Sequence, residues 1–198
     1  MIKPGMNDFA MPLHADWTYV DEDQFRSVAV WIPLIDTNEE NGCLGVIEGS
    51  HKISEKVRGP NMQQNSYTKD KDWVKKYGKL LPTKAGHAII FDHALMHFSP
   101  PNKFDTIRPA LNLSIVPEEA EIYHYCIPEG EKEIEVYKVE DPEFFLKYSH
   151  YKRPETDTKI RTLPVDSVKW VDEKMNNFRP LQKRNLLGRI ASLLHIAD

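Results

Sequence analysis

Gly86-His-Ala-Ile-Ile-Phe-Asp-His-Ala-Leu-Met-His97-Phe-Ser99-Pro-Pro-Asn102-Lys-Phe-Asp-Thr-Ile-Arg108-Pro-Ala-Leu-Asn-Leu-Ser-Ile-Val116 is the stretch from which the fold is read. Two strand-like runs flank Pro100-Pro101-Asn102, residue types that favour a turn. An antiparallel return with Ser99 opposite Arg108 sets His97 opposite Ala110. In that register His97 and Ser99 share a face with Arg108, Ala110, Asn112 and Ser114, and Leu111, Leu113 and Ile115 take the other. One polar or small face backed by an apolar one is the alternation of a strand that serves a site on one side. Arg108 beside Ser99 forms a receptor for a carboxylate, because a guanidinium donates two parallel hydrogen bonds.

Outward from this stretch, strands are predicted at Leu13 to Tyr19, Ser27 to Leu34, Leu44 to Glu48, His87 to Phe91, Met96 to Ser99 and Arg108 to Val116. Tyr123 to Ile127 and Glu133 to Val139 are further candidates. Many short strands separated by turn signals predict a mainly β chain, an antiparallel sandwich or barrel. Asp36 to Gly42 is a polar turn, and Gly42 and Gly49 bracket the strand between them. Residues 53–79 are polar and rich in lysine, the composition of a lid or substrate loop, with a short helix at Asp72 to Tyr77. The acidic run Glu129 to Glu143 is expected to be an exposed strand with a solvated face. Beyond it, helices are expected from Glu140 to Tyr148, started by Asp141-Pro142, and from Asp166 to Met175. Leu181 to Ile196 sets Leu186, Leu187, Ile190, Leu193 and Leu194 at helical spacing, with Lys183, Arg184 and Arg189 outside the stripe. Such a stripe can contact a membrane or a partner, and the plainer expectation is that it docks on this domain or on a second copy, which would make a homodimer.

His14 and Asp16 stand two positions apart among strand-forming neighbours, so in a strand both side chains leave from one face. An imidazole and a carboxylate converging on one point are half of an iron site. A second histidine completes a two-histidine, one-carboxylate triad that leaves coordination positions open, and His97 is the best candidate. His93 and His97 are four apart, a metal pair on a helix, but Ala88-Ile-Ile-Phe91 reads as strand and the glutamate of a zinc-protease motif is absent. His93 is therefore placed in a turn. His51 reads as a structural loop histidine, and His87, His124, His150 and His195 have no supporting spacing.

His14-Ala-Asp16, Asn41-Gly-Cys-Leu-Gly-Val-Ile-Glu-Gly-Ser-His-Lys52 and His97-Phe-Ser-Pro-Pro-Asn102 through Arg108 resemble, in order, segments of the phytanoyl-CoA dioxygenase family of Fe(II)- and 2-oxoglutarate-dependent oxygenases. The resemblance covers residues 11 to 117. It implies a double-stranded β-helix, or jelly roll; that domain is expected over residues 1–140, with 53–79 as lid or insertion, and the helical spacing beyond it makes 141–198 a C-terminal helical extension expected to pack on the same domain. It makes His14, Asp16 and His97 the iron ligands and Arg108 the partner of the distal carboxylate of 2-oxoglutarate, with Ser99 assisting. Trp31, on Val28-Ala-Val-Trp-Ile-Pro33, resembles an aromatic residue near the cosubstrate. Asp16 is a carboxylate, unlike the small residue at this position in related halogenases, which implies hydroxylation. The implied activity consumes O2 and 2-oxoglutarate, releases succinate and hydroxylates a small or medium organic substrate. Two alternatives stand beside it: a noncatalytic jelly-roll module that binds a ligand or partner, and a cupin-like metalloenzyme that uses no keto acid. Family members carry a substantial segment ahead of the H-x-D, whereas thirteen residues precede His14 here, the mark of a fragment or a shortened form.

A chain of 198 residues, 40% hydrophobic and 28% charged, is long enough for one domain with a real core. A net charge of −4 argues against a nucleic-acid partner, which selects a clustered basic face. Cys43 and Cys126 offer neither a disulfide framework nor zinc spacing, the usage of a reducing compartment. The first residues lack the apolar core of a signal peptide and no stretch approaches membrane-spanning length, so the cytoplasm is the expected location.

Overall fold

Eight strands, β1 (Ile2–Lys3), β2 (Met11–His14), β3 (Val28–Pro33), β4 (Leu44–Ile47), β5 (Gly78–Leu81), β6 (Ile89–Asp92), β7 (His97–Ser99) and β8 (Arg108–Ile115), pair antiparallel as β1 with β8, β2 with β7, β3 with β6 and β4 with β5. The first four strands thus fold back on the last four as one long hairpin. Rolled up, that hairpin becomes two four-stranded sheets, β1-β8-β3-β6 and β2-β7-β4-β5, the double-stranded β-helix expected from the sequence. This computed structural model describes residues 1–6, 10–54, 56–60, 62, 71–141, 143–147, 153–154, 158–165 and 178. The terminal stripe, the homodimer that rests on it and the helix expected from Asp166 to Met175 lie outside the described residues. No helix among those described is long and apolar enough to cross a membrane.

The space between the sheets is filled by Ala29, Trp31, Leu44, Val46, Phe91 and Ala110, alternate residues of their strands. On the opposite side of β4, Ile47 joins Leu13 and Met96 beneath Trp73 of α1 (Lys71–Tyr77) and beneath Phe178. The other sheet differs. Leu111, Leu113 and Ile115 share one face of β8 as their alternation predicts, yet they are about half exposed, and Ile90 on β6 is 66% exposed.

The hairpin proposed across Pro100-Pro101-Asn102 does not form. β7 is occupied on both sides by β2 and β4, and β8 by β1 and β3, so neither has an edge left for the other. The intervening loop carries the chain from one sheet to the other. Buried Asn102 braces it, donating from Nδ2 to the Thr106 carbonyl at 2.8 Å. His97 and Ser99 therefore face Arg108 and Ala110 across the sandwich rather than beside them in one sheet.

A third sheet follows, with β9 (Tyr123–Cys126) and β11 (Thr158–Pro164) on either side of β10 (Glu133–Lys138). β10 corrects the expectation of a solvated acidic strand, because Ile134, Glu135, Val136 and Tyr137 are all buried. Glu135 is tolerated inside because Arg153 donates to both its oxygens at 2.9 Å and Lys159 donates at 3.1 Å. β11 lies within the stretch read as a helical extension. Its alternating Thr158, Ile160 and Thr162 suit a strand, and β10 offers the open edge. A short α2 (Phe144–Lys147) forms inside the helix expected from Glu140 to Tyr148. The expected lid segment also gives up its last two residues to β5.

Candidate metal and carboxylate site

His14, at the end of β2, lies directly opposite His97 of β7, and their ring centroids are 4.1 Å apart. Each imidazole donates from Nδ1 to the carbonyl two residues earlier, His14 to Pro12 at 2.8 Å and His97 to Leu95 at 3.0 Å. Those bonds place the proton on Nδ1 and leave both Nε2 lone pairs free, the tautomer a metal requires. The Nε2 atoms point at Asp16 Oδ1, from 4.0 Å for His14 and 3.7 Å for His97. Burial, and next the neighbouring His14, push the His97 imidazole down to about 4, so it is neutral at pH 7. The three ligand atoms lie within 4.8 Å of one another. Asp16 Oδ2 is buried with no hydrogen-bond partner, a position that a bound cation would satisfy.

Convergence is not reached by the simple strand geometry expected of H-x-D, for β2 ends at His14 and Asp16 lies beyond it. Two residues outside the predicted set hold it. Asp16 N–H donates to the His93 carbonyl at 2.9 Å, and its own carbonyl accepts from Arg58 Nε at 2.6 Å. His93 is in a turn, as its sequence suggested, but fully buried. Its Nδ1 shares a hydrogen bond with Ser27 Oγ at 2.8 Å and its Nε2 one with Ser114 Oγ at 3.2 Å. Spacing along the chain carried no signal for either residue, since both act through segments distant from Asp16.

At the other end of the same cavity, Arg108 is 2% exposed, and its Nε and Nη1 are buried with no hydrogen-bond partner. Its guanidinium lies 5.5 Å from the ring of Trp31, which supports the charge from one side. Lys3 of β1 is a second cation at this end, one that the sequence did not reveal. Its Nζ donates to the Ser99 hydroxyl at 2.9 Å, to the Ser99 carbonyl at 3.1 Å and to the Pro100 carbonyl. Burial, and then the charge of Arg108, lower the Lys3 ammonium to about 8. Ser99 in turn donates its hydroxyl to the Gly42 carbonyl at 2.9 Å. Gly42, at φ 79°, has no substitute here, because a Cβ would stand 2.8 Å from both Lys3 Cδ and the Pro100 carbonyl oxygen. The cavity spans about 140 Å³ and runs from His14, Asp16 and His97 past Trp31 and Asn112 to Ser99, Arg108 and Lys3. That is roughly ten times the space one water needs.

Among the described residues, only His14, Asp16 and His97 gather as a set of three metal-ligating side chains. Residues 1–110 match the family model described as phytanoyl-CoA dioxygenase (PhyH). The chain is 31% identical over 111 residues to the "Phytanoyl-CoA dioxygenase domain-containing protein 1 homolog" of Dictyostelium discoideum, covering 52% of this chain and 40% of that protein. It is 32% identical over 121 residues to a phytanoyl-CoA dioxygenase of Arabidopsis thaliana, covering 58% and 41%. The chain thus spans less than half the length of these relatives. Among solved structures it is similar to EvdO2 from Micromonospora carbonacea var. aurantiaca complexed with 2-oxoglutarate, at a TM-score of 0.48 and 23% identity over 71% of this chain and 52% of that one. The family match takes in more than half of the sequence, from β1 to the start of β8, and the chain belongs to the phytanoyl-CoA dioxygenase family.

Proposed function

We propose that the chain is an Fe(II)- and 2-oxoglutarate-dependent dioxygenase that hydroxylates a small or medium organic substrate, with oxidative decarboxylation of 2-oxoglutarate to succinate. One observation carries this reading. A single cavity has a buried, unpaired carboxylate oxygen beside two imidazole rings at one end and, at the other, a buried guanidinium with two unpaired nitrogens. The first end calls for a cation and the second for an anion. A keto acid that chelates the metal through one end and carries a carboxylate at the other answers both.

In this reading His14, Asp16 and His97 hold the iron, and Arg108 takes the distal carboxylate of 2-oxoglutarate. Iron with keto acid and O2 supplies the oxidising power, and the protein supplies position, charge and exclusion of water. The Nδ1 bonds to Pro12 and Leu95 keep both rings in the ligating tautomer throughout. Trp31 fixes the plane of the guanidinium. Ser99 assists by seating Lys3, whose ammonium adds a second positive charge at the carboxylate end. Asp16 as a full carboxylate completes three protein ligands, the arrangement that favours hydroxylation over halide transfer.

Anaerobic titration of the folded chain with Fe(II) and 2-oxoglutarate tests the reading through the weak visible charge-transfer band of the chelate. A flat spectrum would leave a noncatalytic binding module. Metal uptake without keto-acid binding would favour a cupin-like metalloenzyme. Succinate release over a panel of candidate substrates then identifies what is hydroxylated.

A further inference from the structure

We propose that Arg58 is a positioning residue for Asp16, aiming that carboxylate at the metal by holding the main chain around it. The proposal rests on the reading of His14, Asp16 and His97 as a metal site. Asp16 has no strand to hold it, since β2 stops two residues earlier. A peptide is planar, so a residue's direction is set by the two peptide planes that meet at its Cα. At Asp16 each plane is held by one bond. The preceding peptide donates to the His93 carbonyl at 2.9 Å, and the following peptide accepts from Arg58 Nε at 2.6 Å. Together they fix both soft dihedrals of Asp16 and therefore the line along which its carboxylate leaves the chain.

Arg58 is suited to this because it is itself immobilised. It is 2% exposed, and its remaining nitrogens form a fork on Glu22, Nη1 to Oε2 at 3.0 Å and Nη2 to Oε1 at 2.5 Å. Its main chain is stitched to Thr18 in both directions, Thr18 N–H to the Arg58 carbonyl and Arg58 N–H to Thr18 Oγ1, each at 3.0 Å. Gly59 then lets the chain pass against β9, where a Cβ would fall 1.8 Å from the Tyr125 carbonyl oxygen. A planar guanidinium can serve Glu22 with one edge and Asp16 with another, whereas a lysine ammonium is a single point that cannot span both.

The test uses Co(II) as the metal probe on the full chain, without keto acid or turnover. R58K keeps the charge beside Glu22 and gives up the bond to the Asp16 carbonyl. It is expected to weaken Co(II) binding by about tenfold to a hundredfold and to alter the visible Co(II) spectrum. E135Q removes a buried ion pair with Arg153 and Lys159 and none of the bonds at Arg58 or Asp16. It is expected to lower the melting temperature of the metal-free chain while leaving Co(II) affinity within about twofold of native. Native-like Co(II) affinity in R58K overturns the proposal, as does an E135Q loss of affinity equal to that of R58K. Should R58K not fold, E22Q carries the test: loosening the far edge of the fork should weaken Co(II) severalfold, and an unchanged affinity overturns the proposal. A native chain that takes up no more Co(II) than H14A removes the metal reading itself, and the role of Arg58 with it.

Discussion

Arg108 is a buried guanidinium with two unpaired nitrogens, an arrangement that is unfavourable until an anion arrives. R108A is therefore expected to weaken 2-oxoglutarate by about a hundredfold or more, from the loss of two charge-assisted hydrogen bonds of about 1.5–3 kcal/mol each. Calorimetry under nitrogen checks this, and unchanged affinity would remove the carboxylate assignment. Lys3 makes a different prediction. Its ammonium titrates at about 8, and a carboxylate ligand favours the charged form. Below pH 8 the charge is already present, whereas above it binding must recruit a proton. Affinity for 2-oxoglutarate should thus fall as pH rises through 8, by at most about tenfold per unit, and K3M should flatten that slope. Arg108 was named in the sequence beside His97 and Ser99 on a hairpin that does not form, and it meets them across the sandwich instead. Lys3 was not, because a two-residue strand shows no periodicity and its partner Ser99 lies 96 residues away.

Two strands show how little an element's composition says about its surroundings. β10 looks acidic and solvated, yet Glu135 is buried, its carboxyl held at about 2, chiefly by Arg153. A carboxyl held below its ordinary 4.5 adds stability above that pH and loses it as pH falls toward 2. E135Q should flatten this acid limb and lower stability at pH 7 by about 2 kcal/mol in urea titration, less than a fully buried pair would lose because Arg153 and Lys159 are about half exposed. β8 fails in the opposite sense. Its Leu111, Leu113 and Ile115 form the apolar face that their alternation predicts, yet they lie about half exposed. L113K is expected to change stability by no more than about 0.5 kcal/mol and to reduce binding of an apolar fluorescent dye, since the face it breaks is open. A large loss of stability would show that the face is covered.

At the scale of the whole molecule, the candidate metal site joins segments far apart in the chain, so loading it should stabilise the fold as a unit. Fe(II) at about a hundred times its dissociation constant should add about 2.7 kcal/mol, seen as a rise in anaerobic melting temperature that H14A abolishes. The sequence alone determined the strand content and the mainly β class, and it named His14, Asp16, His97 and Arg108, which the fold brings to one cavity. The strands follow from period-two alternation, a short-range signal that does not depend on which strands become neighbours. Only the tertiary structure decided which strands are neighbours, and with that the roles of Lys3, Arg58 and His93. The physical reason lies in β7 and β8. Alternation says which side chains share a face, but not what that face meets. Two strands facing each other across a sandwich therefore carry the same pattern as two joined in a hairpin.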